Sequence, residues 1–205
     1  MNDFFIHKIF ATPIYVSNIN REFSKEELNF VKQNKKNIKL NQYNHSSINN
    51  YVLNNIQLRD IKEIIEKQIL IYFDKIINTD NSIKPFITQS WLNFTRKEEA
   101  HHKHQHQNSI ISGVLYIKAN NKFDKIWFHK QVYEQLFFSK KQYNEFNSDA
   151  WFFPIETGQI VLFPSNLSHS VETKQDDNER ISLAFNVFVK GLLGNNESLT
   201  ELNIN

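Results

Sequence analysis

The chain contains no cysteine. That absence removes disulfides, thiolate nucleophiles and every zinc or iron–sulfur site built on sulfur. Glycine and proline are nearly as scarce, with four of each in 205 residues, so each one carries more information than usual. No apolar run approaches the roughly 18 residues of a membrane span. Met1-Asn2-Asp3-Phe4-Phe5 lacks the basic stretch and apolar run of a secretory signal, and a cytoplasmic location is the expectation. Basic and acidic residues nearly balance, 24 against 22 for a net charge of +2. They are scattered, with no Lys/Arg stripe interleaved with aromatics, so no nucleic-acid footprint is expected. The length suits one well-buried core and is short for two.

What is present falls into two halves. Ser24 and Glu27 have capping-box spacing and predict a short helix through Leu28 and Val31. Leu58, Ile61, Ile65, Ile69, Tyr72, Phe73 and Ile76 recur at helical intervals, with Lys62, Glu63, Glu66 and Lys67 opposite, and predict an amphipathic helix. Residues 8–16 read as an edge strand containing Pro13, and the Asn-rich residues 36–55 as a loop. After Pro85 the pattern changes to period two or to short apolar runs. Strands are expected near 86–95, 110–118, 125–130, 151–155, 159–163, 168–173 and 180–189. Residues 131–147 read as a helix or an irregular insertion. One domain over 1–205 follows, with a helical part at 1–80, a barrel at 85–190 and a frayed tail at 191–205. Helices first and many short strands after suggest a mainly β fold with flanking helices (α+β), a sandwich or barrel with the helices on one face.

Four of the eight histidines fall in His101-His102-Lys103-His104-Gln105-His106. A solvated polar loop is a common reading of such a run. Its place before the strong strand Ile110–Ile117 argues for more, because residues two apart on a strand share a face. His104 and His106 can then present two imidazoles to one metal, although His102 with His104 satisfies the same spacing. A third imidazole is available where Gly158–Pro164 runs into Ser165-Asn166-Leu167-Ser168-His169. Two ligands from one strand and one from a distant strand make a facial set that leaves three octahedral positions open.

Arg180 follows His169 by eleven residues. In the strand that it opens, Arg180, Ser182, Ala184 and Asn186 share one face, while Ile181, Leu183, Phe185 and Val187 share the other. An edge strand with one wet side would look the same. If the polar face looks inward, Arg180 can hold the far carboxylate of a dicarboxylic cosubstrate through a bidentate fork, and Ser182 adds a hydroxyl.

These residues carry a resemblance. Trp91-x-Asn93, His104-x-His106-x-Asn108-Ser109, Ser112-Gly113-Val114-x-Tyr116, Gly158, Phe163-Pro164-Ser165, His169-x-Val171 and Arg180-x-Ser182-x-x-Phe185-Asn186 resemble a family of 2-oxoglutarate–Fe(II) oxygenases of marine bacteria and their phages, distantly similar to prolyl 4-hydroxylases. The likeness covers about residues 86–190, and Phe10–Ile14 resembles the family's opening strand. It implies a double-stranded β-helix (a jelly roll, or cupin-like barrel) and a dioxygenase using Fe(II), 2-oxoglutarate and dioxygen. Such an enzyme hydroxylates its substrate and releases succinate and CO2. By this likeness His104 and His169 match the metal-binding histidines, which favours His104 over His102, and Arg180 matches the 2-oxoglutarate-binding residue. Tyr116, Asn93 and Asn186 join Arg180 and Ser182 as expected cosubstrate contacts.

The chain departs from the wider pattern at several places. Where most such enzymes carry Asp or Glu two residues after the first His, this chain has His106. Either three histidines hold the metal, or a water or chloride takes that position. Gln107 replaces a frequent Pro, and Lys97-Glu98-Glu99 replaces a Gly, with Glu98 or Glu99 a remote carboxylate option. Trp91, Trp127 and Trp151 read more readily as core aromatics than as pocket lining. One rival is a three-histidine cupin, supported by the Gly158–Pro164–His169 spacing. Against it, Ile110 and Ile111 stand where its glutamate belongs, and Arg180 has no role in it. A second rival is a metal-binding barrel without turnover. The substrate, small-molecule or peptidyl, is not legible, and a homodimer is compatible with the sequence.

Overall fold

The computed structural model describes residues 5–130, 136 and 138–205. The first helix, α1 (Lys25–Asn34), forms where the capping box predicts it. The Ser24 hydroxyl accepts from the Glu27 amide at 3.2 Å, and the Glu27 carboxylate accepts from the Ser24 amide at 2.7 Å. Both Glu27 oxygens are also taken by Arg21, which lets this carboxylate be buried without an unpaired charge. The second helix, α2 (Arg59–Tyr72), buries Leu58, Ile61, Ile65, Ile69 and Tyr72 along one stripe. It ends in a wider turn over Phe73–Ile77 that closes on Asn78 at φ 56°.

Among the described residues twelve strands build two sheets, with every ladder antiparallel. In chain order they are β1 (Tyr15–Asn18), β2 (Ile38–Asn41), β3 (Asn44–Ser47), β4 (Lys84–Thr95), β5 (His101–His104) and β6 (Ile111–Lys118). Then come β7 (Lys125–His129), β8 (Ala150–Pro154), β9 (Gln159–Pro164), β10 (Ser168–Val171), β11 (Arg180–Leu193) and β12 (Leu202–Ile204). The large sheet runs β1-β9-β6-β11-β4-β3-β2, with β12 added to the end of β11. The small sheet runs β5-β10-β7-β8. Facing each other, they form the double-stranded β-helix.

Two apolar layers hold this arrangement. Leu183, Phe185 and Val187 of β11 and Leu92 and Phe94 of β4 meet α2 in the larger one. Tyr116, Ile126, Phe128, Ile155, Val161 and Phe163 form the smaller one. The alternation of β11 places each residue as its period requires. The odd positions go under the helices, and Arg180, Ser182 and Ala184 line a cavity.

The sequence expectations need correction in places. The N-terminal strand begins only at Tyr15, since its pairing with β9 spans Tyr15–Asn18. It is nevertheless an edge strand, as expected. Residues 36–55 are not simply a loop: 38–47 fold into the β2–β3 hairpin, which lays Asn44, Ser46 and Ser47 against β4. Those buried side chains are polar, so the segment shows no apolar alternation. Ser47 compensates by accepting from the Leu92 amide at 3.0 Å and donating to the Asn49 carbonyl at 2.7 Å. The histidine run forms β5 in the small sheet rather than the approach to β6. Of the segment 131–147, residues 131–135 and 137 lie outside the described residues, and 138–147 contain no helix. The tail expected to fray extends β11 to Leu193 and returns as β12.

Gly113 marks the tightest approach in the large sheet. A Cβ there would lie 2.2 Å from Phe185 Cζ and 2.6 Å from Leu162 Cδ2, both fully buried neighbours on the flanking strands. Gly113→Ala is expected to cost about 1–3 kcal/mol through overpacking. At about 2–4 °C per kcal/mol for a chain of this size, thermal unfolding would register it. An unchanged Tm would mean that Phe185 moves freely, against this packing.

Candidate active site

Residue 104 ends β5 and residue 169 stands directly opposite it on β10. Each imidazole is oriented by the chain just before it. His104 Nδ1 lies 2.8 Å from the His102 carbonyl, and His169 Nδ1 lies 3.1 Å from the Leu167 carbonyl. A carbonyl can only accept, so Nδ1 carries the hydrogen and Nε2 keeps its lone pair for a metal. His106 follows the end of β5, and its amide donates to the Ser165 carbonyl at 3.0 Å. A chain of hydroxyls stiffens this crossing: Ser109, Ser165 and Ser112 are linked at 2.7 and 2.8 Å, and Ser112 donates to Asn186 Oδ1 at 3.0 Å.

The candidate ligand atoms of His104, His106 and His169 all lie within 4.8 Å of one another. Facial ligands on one octahedral ion with bonds of about 2.1 Å stand about 3.0 Å apart, a spacing that lies inside this bound. Burial is the main force on their protonation. It pushes His169 down to about 3 and His106 to about 4, and it lowers His104 as well, with repulsion between neighbouring imidazoles adding to it. All three are therefore neutral near pH 7, the form that binds metal.

A fourth imidazole enters the cavity through a bulge. Four residues of β5, from His101 to His104, oppose three of β10, from Val171 to His169, which turns His101 and His104 to the same side. His101 stacks on His104 at 4.6 Å. The candidate ligand atoms of His101, His102 and His104 likewise lie within 4.8 Å of one another, but this group shares His104, whose Nδ1 is engaged with the His102 carbonyl. Its single remaining lone pair can serve one ion only. Among the described residues, no group of three potential ligands includes a carboxylate. Glu99 is turned to His45 and the Arg96 amide, and Glu98 is exposed, so the carboxylate option fails.

Arg180, at the start of β11, lines the same cavity as the histidines and is 3% exposed. Its Nη1 donates to Asp124 Oδ1 at 3.1 Å, and Lys174 Nζ donates to the same carboxylate at 3.1 and 3.3 Å. Tyr116, Asn93, Ser182 and Trp91 complete the wall. Burial raises the Tyr116 phenol well above its ordinary range, so it stays a neutral hydroxyl. Asn93 Oδ1 is buried without a hydrogen-bond partner. Asn186, expected here, sits behind the wall on Ser112. Of the three tryptophans only Trp91 reaches the site, 5.7 Å from the His106 ring; Trp127 packs on Phe152 and Trp151 is 45% exposed. Asp124 and Lys174 had no sequence signal, because their partners come from distant segments; His101 lay in the histidine run, but only the bulge turns it into the cavity.

A barrel that offers three neutral imidazoles at one place and a buried guanidinium at another defines a metalloprotein equipped for a carboxylate-bearing ligand. Residues 89–186 match the family described as "Putative 2OG-Fe(II) oxygenase". That segment is just under half of the chain, and it carries the pattern of a family of oxidoreductases whose metal is Fe(II) and whose cosubstrate is 2-oxoglutarate. The match bears out the resemblance and decides against the cupin alternative. A comparison with curated proteins gives no match.

Solved structures share the fold at low identity. A 2OG-Fe(II) oxygenase family oxidoreductase from Burkholderia pseudomallei is 13% identical, with a TM-score of 0.55 over 85% of this chain and 83% of that one. A Trichoplax adhaerens prolyl hydroxylase in complex with a hypoxia inducible factor peptide fragment is 13% identical, with a TM-score of 0.59 over 85% and 83%. HygX from Streptomyces hygroscopicus, with nickel, 2-oxoglutarate and hygromycin B bound, is 10% identical, with a TM-score of 0.58 over 86% and 82%.

Two outcomes are expected. His104→Ala and His169→Ala should each weaken Co(II) binding by more than about 100-fold, beyond the loss from removing an outer partner; calorimetry showing intact binding in either would remove that residue from the ligand set. The second concerns pH. Folded His106 and His169 titrate at about 4 and 3, against about 6.5 in the unfolded chain. The unfolded state therefore binds more protons, and metal-free stability, complete above about pH 6.5, falls as pH drops toward those folded values. Tm should fall less steeply with pH in a His106→Gln/His169→Gln variant, and equal slopes would contradict the assignment.

Proposed function

We propose that His104, His106 and His169 hold Fe(II), and that Arg180 receives the far carboxylate of 2-oxoglutarate. Tyr116, Ser182 and Asn93 stand beside it as neutral hydrogen-bonding groups. The observation that carries this reading is the placement of both ends on one cavity. The imidazole set stands on β5, β10 and the residues just after β5, and the guanidinium opens β11.

The residues fit the group they would hold. Each of His104 and His169 has one nitrogen committed to a carbonyl and one free, and three imidazoles leave an octahedral ion room for a two-toothed cosubstrate and dioxygen. Bound there, Fe(II) and 2-oxoglutarate supply the oxidising chemistry, and the cosubstrate leaves as succinate and CO2. The chain's own part is to place and to shield. Arg180 fixes the cosubstrate's far end, Tyr116 can donate while staying protonated, and Trp91, Phe163 and Ala184 keep the cavity wall apolar. Three neutral imidazoles also leave the site one negative charge poorer than two histidines and a carboxylate, so bound anions carry more of the charge balance.

The reaction is a hydroxylation of a small-molecule or peptidyl substrate. The neighbouring structures hold an antibiotic in one case and a peptide fragment in another, which is the range this reading carries for the present chain. Among the described residues no helix is long and apolar enough to cross a membrane. A cytoplasmic location and no contact with nucleic acid complete the proposal, which is compatible with a homodimer.

Anaerobic addition of Fe(II) and 2-oxoglutarate should produce the weak visible charge-transfer band of the chelated metal. Arg180→Ala should need about 10–100 times more 2-oxoglutarate for the same band, the worth of one charged hydrogen-bonded contact. Metal binding with no band in the unaltered protein would sink this reading and favour a barrel that binds metal without turnover.

A further inference from the structure

Joined to Arg180, but outside the residues that line the cavity, are two buried charged side chains that the reaction as derived does not use. Asp124, in the turn before β7, and Lys174, in the loop between β10 and β11, are each 1% exposed at the side chain, and Arg180 is 4% exposed. Asp124 Oδ1 accepts from both cations, and its Oδ2 accepts from Lys174 and from the Asn120 amide at 2.9 Å. Lys174 also pairs with Asp176, and its backbone is tied on both sides to the 98–99 turn. The turn at Asn120, the β10–β11 loop and the first residue of β11 thus converge on one carboxylate. Among the described residues Asp124 is the one side chain in ion-pair reach of the Arg180 guanidinium.

We propose that Asp124, itself held by Lys174, is the positioning residue for the carboxylate clamp. It fixes one nitrogen of the Arg180 guanidinium and so orients the remaining donors toward the cavity. This rests on the proposed role of Arg180. A planar fork recognises a carboxylate through two parallel hydrogen bonds, so its orientation matters as much as its charge. Lys174 has a second duty. Without it, Asp124 could give both oxygens to Arg180 and fill the clamp with an internal carboxylate.

Charge and orientation predict opposite results, which makes the inference testable. Removing the charge of Asp124 leaves more positive potential for an incoming dianion and, by charge alone, would tighten binding. Losing the orientation weakens it. In Asp124→Asn the amide would bring N–H donors to face Lys174 or the Asn120 amide, which are donors too, so the side chain cannot keep its place and Arg180 is released. Orientation is the effect expected to win.

The experiment uses full-length protein loaded anaerobically with Fe(II), titrated through the charge-transfer band with 2-oxoglutarate and, separately, with pyruvate. Pyruvate offers the same chelating 2-oxo acid but has no far carboxylate, so a clamp defect should not touch it. Asp124→Asn should weaken 2-oxoglutarate at least tenfold while leaving pyruvate and Fe(II) affinity unchanged. Lys174→Met, a second variant should the first fail to fold, should show the same split. Unchanged or tighter 2-oxoglutarate binding in the variants would overturn the proposal. An equal loss for pyruvate would also overturn it, by reducing Asp124 to a scaffold residue. If Arg180→Ala itself leaves 2-oxoglutarate binding intact, the clamp fails and this proposal with it. A loss in Arg180→Ala with none in Asp124→Asn or Lys174→Met sinks only the positioning role.

Discussion

Strand β11 has to satisfy two environments at once, and the rest of the molecule is arranged around that requirement. It pairs with β4 on one side and β6 on the other, so it cannot shift by one residue without breaking both ladders. Such a slip would carry Leu183 and Phe185 into the cavity and Arg180 under the helices. The apolar seal made by α2 therefore does more than stabilise. It sets the register that aims Arg180 inward, and the fit of Phe185 over Gly113 adds a steric stop to the same register.

The small sheet works under a different constraint. It needs only to bring β5 opposite β10, because the cross-strand pair His104–His169 then places two imidazoles 4.3 Å apart between ring centres. Backbone carbonyls set which nitrogen faces the site, and burial keeps the rings neutral. The third imidazole is pinned from the large sheet's side, through Ser165 and the serine hydroxyls around it. Several motif residues are thus explained by geometry rather than by chemistry: Ser109, Ser112, Ser165 and Asn186 hold the crossing between the sheets.

Much of this was legible before any coordinates. The period of 3.6 in α2, the capping box at Ser24 and the period of two in β4, β6, β9 and β11 each follow from local rules, and the alternation of β11 separated Arg180 and Ser182 from Leu183 and Phe185. The β2–β3 hairpin was not legible, because the side chains it buries are polar and lie against β4, a partner 45 or more residues away along the chain. The terminal strand β12 is equally hidden: nothing in Leu202–Ile204 declares a strand until β11 offers an edge.

The site divides along the same line. The sequence by itself determined the chemical inventory: no thiolates, a His-rich run before a strong strand, one histidine after a Pro-Ser turn, and an arginine heading an amphipathic strand. Those depend on residue identity and on the short-range periods of strand and helix. Only the tertiary structure decided which imidazoles converge, since a bulge in β5 turned His101 inward and Glu99 is taken up by His45 and the Arg96 amide. It alone decided that Arg180 meets Asp124 and Lys174, because an ion pair between loops fifty residues apart is fixed by how two sheets close on each other, and no local pattern records that closure.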